Sequence, residues 1–172
     1  IMHETFEPQR VVEAIQGNGV SSMFMVPAMI QAIVKLVPNV RDYDFSSLEI
    51  IAYGASPISA SLLEEAMSVF GCRFSQVYGM TETSGTVVAL APEDHVRAVA
   101  EAPHLLTSCG QPCPGNEVKI IDDNGKALAP NQTGEICLRT ASNMLSYFKR
   151  PEATASTLQD GWVLTGDAGF MD

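Results

Sequence analysis

LEIIAYGASPISASLLEEAMSVFGCRFSQVYGMTETSG, residues 48–85, decides the fold. "LEIIAYG" is an apolar, β-branched run closed by Gly54, which is the pattern of a buried strand. "SLLEEAMSVF" then repeats its apolar residues at helical spacing, with Leu62, Leu63, Ala66, Met67 and Phe70 on one face. Ser61 and Glu64 have capping-box spacing at its start. "RFSQVYG" is a second strand, and it ends in a glycine followed by two threonines around a glutamate. A strand, a helix and a strand joined by short loops make a crossover unit, so the two strands are expected to lie parallel.

The pattern extends upstream. Val11, Val12 and Ile15 share one face of a helix over residues 7–17, and Gly17 and Gly19 end it. "VSSMFMV" is a short strand. Pro27 opens a helix that stops at Pro38, since the missing N–H of a proline has no partner to lose in a first helical turn. Met23, Met25 and Met29 read as core packing. Downstream of residue 105 the texture changes: "EVKII", the turn "DDNG" and "GEICLR" read as hairpin chemistry, with Asn124-Gly125 supplying positive φ. The expected architecture is therefore α/β: a layered, mainly parallel sheet with flanking helices over residues 1–104, then a small antiparallel, barrel-like β lobe over 105–172.

Composition narrows the function. A net charge of −10, with six arginines and four lysines scattered along the chain, excludes a nucleic-acid footprint. Any phosphate ligand would have to rely on local backbone donors and a metal ion. No apolar run is long enough to span a bilayer. The N-terminus lacks the order of a signal peptide, and because Ile1 precedes Met2 a segment upstream is expected. Cys72, Cys109, Cys113 and Cys137 lack the paired spacing of a zinc site and read as reduced, mostly buried thiols of a cytoplasmic protein. His95 and His104 read as surface residues without a role.

Two loops leave the C-terminal ends of expected strands, the edge at which open α/β sheets bind ligands. "GASP" (54–57) offers a glycine and small side chains, so backbone can approach a flat ligand. "YGMTET" (78–83) offers a ring, a glycine, hydroxyls and one carboxylate able to hold Mg²⁺. Together they suggest a purine and phosphate site that is neither a Walker loop nor a GxGxxG loop. Taken alone, Tyr78 could equally be a half-buried core aromatic, Glu82 a solvated loop acid and Asp167 a turn residue.

In order along the chain, these segments resemble the adenylate-forming superfamily of acyl-CoA synthetases, luciferases and peptide-synthetase adenylation domains. "FMVPAMIQAIV" is similar to the helix flanking the acyl pocket and "YGASPIS" to the GGAP loop. "QVYGMTET" resembles the YGxTE signature and "CGQPCPGNEVKIID" the entry to the small β lobe. "TGEICLRTASNMLSYFKRPEATASTLQDGWVLTGDAGFMD" resembles the GEI…GY…PE-T…DGW…TGD run. Two segments depart from the pattern: "GASP" replaces the commoner "GGAP", and Ser146 stands where glycine is usual.

The resemblance implies a role for each matching residue. The backbone of Gly54, Ala55, Ser56 and Pro57 borders adenine in the first subdomain. Tyr78 stacks on the base, and Gly79 and Met80 line the passage to the acyl group. Thr81 bonds the α-phosphate, Glu82 binds Mg²⁺ and Asp167 accepts the ribose hydroxyls; Thr81 and Glu82 are the catalytic pair. Thr86 and Val88 face the acyl pocket. The implied reaction joins a carboxylic acid, a fatty acid above others, to ATP, releases pyrophosphate from an acyl-AMP, and passes the acyl group to coenzyme A. The implied parent is cytoplasmic, with peripheral membrane association possible.

The same resemblance implies that the chain is part of a longer enzyme. The Gly/Ser/Thr-rich phosphate loop and the C-terminal lobe with its catalytic lysine fall outside it, so the isolated chain is expected to be inactive. Two alternatives stand beside this one. One is a peptide-synthetase adenylation domain, which Met80 disfavours because proline is usual there. The other is a non-catalytic folded segment.

Overall fold

The computed structural model describes residues 4–172. The chain divides into two compact units, one formed by residues up to Val77 with Leu90–Gly110, the other by Tyr78–Ala89 with Gln111–Asp172.

In the first unit, α1 (Pro8–Asn18) starts on a proline and ends on Gly19, whose φ of 60° places it in the left-handed region. β1 (Ser22–Met25) leads into α2 (Pro27–Leu36), β2 (Ile50–Gly54), α3 (Ala60–Phe70) and β3 (Arg73–Met80). β1, β2 and β3 are adjacent and parallel, with Ile51 opposite both Met23 and Phe74. α2 packs against both α1 and α3 on one side of the sheet. There Met25, Ile30, Ile33, Ile51, Tyr53, Leu63 and Phe74 form a buried core with Val12 and Ile15 of α1. Met23 and Met29 pack against that core from its edge.

Three local readings need correction. The N-cap of α3 is Ser59, with extended backbone, and its hydroxyl accepts from the Leu62 N–H at 3.3 Å. The helix thus begins before Ser61, which already lies inside it and cannot cap it. Of the four cysteines only Cys137 is buried; Cys72, Cys109 and Cys113 are partly exposed. His95, read as a surface residue, is completely buried. It lies on α4 (Pro92–Ala100), where Val96 and Val99 are the exposed residues at 64% and 52% while His95 and Ala98 turn inward. His95 Nδ1 donates to the Ala91 carbonyl at 2.9 Å, so Nε2 is left to accept from the Tyr53 hydroxyl, also at 2.9 Å. These two bonds satisfy the ring and offset the cost of burying it.

The second unit carries the end of β3, β4 (Gly85–Leu90) as far as Ala89 and β5 (Gln111–Pro112), and then a separate antiparallel sheet. The five strands of the first sheet run in the order β1-β2-β3-β4-β5, and β5 is antiparallel to β4. The other sheet is made of β6 (Glu117–Ile121), β7 (Gly134–Arg139), β8 (Leu158–Gln159) and β9 (Trp162–Gly169), in the order β6-β7-β9-β8. The short helix α5 (Pro151–Thr157) precedes β8. The α/β class, the parallel strands of the first sheet and the antiparallel second sheet agree with the sequence pattern.

The "DDNG" turn differs in detail. Gly125 alone has positive φ there, at 78°, and its N–H closes the turn on the Asp122 carbonyl. The chain first returns against the edge of β6 through Ala127, opposite Ile121. Only after a further loop does it pair with β6 again as β7, with Lys119 opposite Cys137.

Candidate nucleotide and metal site

The candidate residues fall in both units. In the first, Gly54 ends β2 and is buried, and glycine is required because a Cβ there would stand 2.2 Å from the Val77 carbonyl oxygen. The next residue, Ala55, has φ 67° and is exposed, as are Ser56 and Pro57. Alanine thus occupies a left-handed position at which glycine would be unstrained. Of the two departures from "GGAP", at Ala55 and Ser56, the first falls on the residue with positive φ, where a Cβ stores strain.

In the second unit, a tight connection joins β3 to β4. Gly79 lets the two strands close up, since a Cβ on it would lie 1.9 Å from the Gly85 carbonyl oxygen. Thr81–Thr83 form a single 3-10 turn, Ser84 follows in the left-handed region with φ 56°, and its N–H donates to the Thr81 carbonyl at 3.0 Å. The two threonines have different fates. Thr83 is buried, and its hydroxyl accepts from the Met80 N–H at 3.1 Å and lies 3.0 and 2.9 Å from the Met80 and Gly85 carbonyls. Thr81 is exposed, and among the described residues no hydrogen bond engages its hydroxyl. Met80 is half-buried at the start of this turn. Beyond it, Thr86 is exposed and Val88 is buried on β4, opposite Pro112.

Glu82 projects from the middle of the turn and is tied to the segment before α5. Its carbonyl accepts from the Met144 N–H at 2.7 Å, and its Oε1 accepts from the Tyr147 hydroxyl at 2.5 Å. That hydrogen bond to a carboxylate is the main reason the Tyr147 phenol is pushed above its ordinary pKa. The Ser84 hydroxyl adds a bond to the Ser142 carbonyl at 2.8 Å. Among the described residues Oε2 of Glu82 has no hydrogen-bond partner. One carboxylate with a free oxygen, next to a free threonine hydroxyl, suits Mg²⁺, which keeps several waters and takes its other ligands from substrate phosphates.

Asp167 lies on a bulge. Glu135 of β7 pairs with Ala168 and Cys137 with Leu164, so Thr165, Gly166 and Asp167 together oppose Ile136. Bulges of this kind re-aim side chains. The Thr165 hydroxyl donates to the Ile136 carbonyl at 2.8 Å and accepts from the Asp167 N–H at 3.0 Å, while the Gly166 N–H donates to Glu135 Oε1 at 2.9 Å. So held, Asp167 Oδ2 accepts from the Tyr78 hydroxyl at 2.7 Å. Two candidates that are 89 positions apart in sequence thus meet. The structure also brings in Thr83, Tyr147 and Thr165, which sequence reasoning did not select. Their hydroxyls hold the candidates in place, and only the "Y…PE-T" and "T" positions of the family-like run hinted at the last two.

Comparison with known proteins identifies the family of the chain. The family model described as "AMP-binding enzyme" matches residues 1–148. A fatty acid–[acyl-carrier-protein] ligase, ScoC, from Streptomyces coeruleorubidus is 42% identical over 97% of this chain and 31% of its own length. A medium/long-chain-fatty-acid–CoA ligase, FadD8, from Mycobacterium tuberculosis is 35% identical over 97% of this chain and 28% of its own. Among solved structures, o-succinylbenzoate coenzyme A synthetase from Bacillus subtilis, in complex with ATP and a magnesium ion, superposes with a TM-score of 0.79. It is 32% identical, over 99% of this chain and 33% of that one. The chain spans about a third of the length of the relatives it matches.

Proposed function

This chain belongs to the AMP-binding enzyme family, and from that premise we propose that it supplies the adenosine- and magnesium-binding residues of an ATP-dependent acid–thiol ligase. The parent activates a carboxylic acid, a fatty acid in the first instance, as acyl-AMP with release of pyrophosphate, and then transfers the acyl group to coenzyme A. A carboxylate is a poor electrophile, and esterification to AMP turns one of its oxygens into a good leaving group. Catalysis at the phosphorus is then mainly positioning and charge neutralisation.

In this reading the Tyr78 ring stacks on adenine and Asp167 accepts the ribose hydroxyls, with its second oxygen already fixed by Tyr78. The Thr81 hydroxyl bonds the α-phosphate. Glu82 holds Mg²⁺, which when bound neutralises phosphate charge. In the first unit, the backbone of residues 54–57 borders the base. Gly79 and Met80 line the passage to the acyl group, and Thr86 and Val88 its pocket. A cytoplasmic setting is in keeping with four cysteines that form no disulfide among the described residues. No helix of the described residues is long and apolar enough to cross a membrane.

The observation that carries the reading is the Tyr78–Asp167 hydrogen bond, which unites the "YGMTE" and "TGD" motifs at 2.7 Å. The test is acid-dependent pyrophosphate release by the intact protein with ATP, Mg²⁺ and a panel of fatty acids. Release with at least one acid, reduced about 100-fold or more in Glu82→Ala, is the expected result. No acid-dependent release, or release indifferent to Glu82→Ala, would refute the reading.

A second acceptor is favoured by one observation, the 42% identity to a ligase that by its name acts with an acyl carrier protein. Assaying thioester formation with coenzyme A and with a phosphopantetheinylated carrier separates the two.

A further inference from the structure

Glu82 stands alone in its turn as the acid able to hold a metal ion, and a lone carboxylate on a short turn has rotamers to lose before it can bind one. The turn's backbone is anchored independently of that side chain. The Met144 N–H bonds the Glu82 carbonyl at 2.7 Å, and the Ser84 hydroxyl bonds the Ser142 carbonyl at 2.8 Å. Neither bond reaches the carboxylate. Among the described residues the only group that does is the Tyr147 hydroxyl, at 2.5 Å from Oε1. Tyr147 is itself fixed from behind: its N–H donates to Thr154 Oγ1 at 3.0 Å, and that hydroxyl donates to the Arg150 carbonyl at 2.8 Å in the first turn of α5.

We propose that Tyr147 is a positioning residue for metal binding, which holds Oε1 of Glu82 from the start of α5 so that Oε2 is presented to Mg²⁺. The inference rests on the reading of Glu82 as the metal ligand. A neutral phenol is well matched to this role. It donates one hydrogen bond to the carboxylate, leaves its negative charge for the cation, and brings no charge of its own to compete. Outer partners that orient a metal ligand are worth about 10- to 100-fold in metal affinity. Loss of the hydroxyl alone leaves the ring, the Thr154 bond and both backbone anchors in place. The effect should therefore fall on the metal and leave nucleotide binding and folding nearly unchanged.

The experiment compares the intact protein with Tyr147→Phe and Glu82→Gln. Mn²⁺ binding to the complex with a non-hydrolysable ATP analogue is read by electron paramagnetic resonance. Half-saturation by Mg²⁺ in pyrophosphate release, analogue affinity without metal, and melting temperature are measured alongside. Tyr147→Phe is expected to weaken Mn²⁺ binding and raise the Mg²⁺ requirement about tenfold, with metal-free analogue affinity within twofold of the parent and melting little changed; Glu82→Gln is expected to shift both metal readouts further. If Tyr147→Phe keeps Mn²⁺ affinity and Mg²⁺ half-saturation within twofold while Glu82→Gln shifts them, the role of Tyr147 is overturned and that of Glu82 stands. If Glu82→Gln shifts neither, Glu82 does not hold the metal and both fall. A Tyr147→Phe effect of equal size on metal-free analogue affinity would make Tyr147 a general support of the site and overturn the proposal.

Discussion

Replacing Gly79 by alanine tests whether the candidate turn depends on the close approach of β3 and β4. The added Cβ would stand 1.9 Å from the Gly85 carbonyl oxygen, 2.8 Å from its carbon and 3.1 Å from the Thr86 Cα. All three are backbone atoms, so no side chain can swing aside. To reach 3.0 Å, below which Cβ contacts are essentially never found, the oxygen has to move 3.0 − 1.9 = 1.1 Å. That oxygen faces the buried Thr83 hydroxyl at 2.9 Å, so the displacement also strains a buried hydrogen bond. One such bond is worth about 1 kcal/mol, and forcing a packed backbone apart costs about 1–3 kcal/mol, so Gly79→Ala should destabilise the chain by about 2–4 kcal/mol. Gly17→Ala is the matched control. It lies inside α1 with nothing within 4 Å of the place its methyl group would take, and it should stabilise by about 0.5–1 kcal/mol. Urea unfolding of both variants, with slopes compared to the parent, gives the difference. A Gly79→Ala stability within about 0.5 kcal/mol of the parent would refute the steric reasoning.

The adenine-side loop gives an opposite expectation. Ala55 has φ 67°, which costs a non-glycine residue about 1–2 kcal/mol, so Ala55→Gly should stabilise by about 0.5–1 kcal/mol after its greater freedom in the unfolded chain is discounted; a loss of stability in urea would contradict this. His95 predicts a pH effect. Burial holds its folded pKa below the ordinary value of 6.5, and the unfolded chain does not share that shift. Above about pH 6.5 both states are neutral and the group is silent. As pH falls below that, the unfolded chain takes up a proton the folded chain refuses, so stability drops by up to about 1.4 kcal/mol per pH unit until the folded pKa is reached. In His95→Gln the slope of unfolding free energy between pH 6.5 and 5 should be shallower than in the parent, and an equal slope would contradict the assignment.

Much of the fold was legible because its punctuation is chemical. Pro27 opens a helix, Gly19 closes another in the left-handed region, and Gly54 marks the end of a strand. The candidate site was legible as motifs but not as a network. Thr81 and Thr83 are the same residue type two positions apart, and only the path of β4 makes one buried and the other free. Tyr147 reaches Glu82 across 65 positions, and a contact at that distance leaves no trace in local pattern. His95 misled because α4 turns its valines outward and its histidine inward, the reverse of what residue type suggests.

The most direct measurement is a crystal structure of the intact protein with a non-hydrolysable acyl-adenylate analogue, an acyl-sulfamoyl adenosine. The expected complex has the Tyr78 ring against adenine, the Asp167 carboxylate on the ribose hydroxyls and the Thr81 hydroxyl on the group that replaces the phosphate. An analogue bound with Tyr78, Thr81 and Asp167 all unengaged would contradict the assignment of this site.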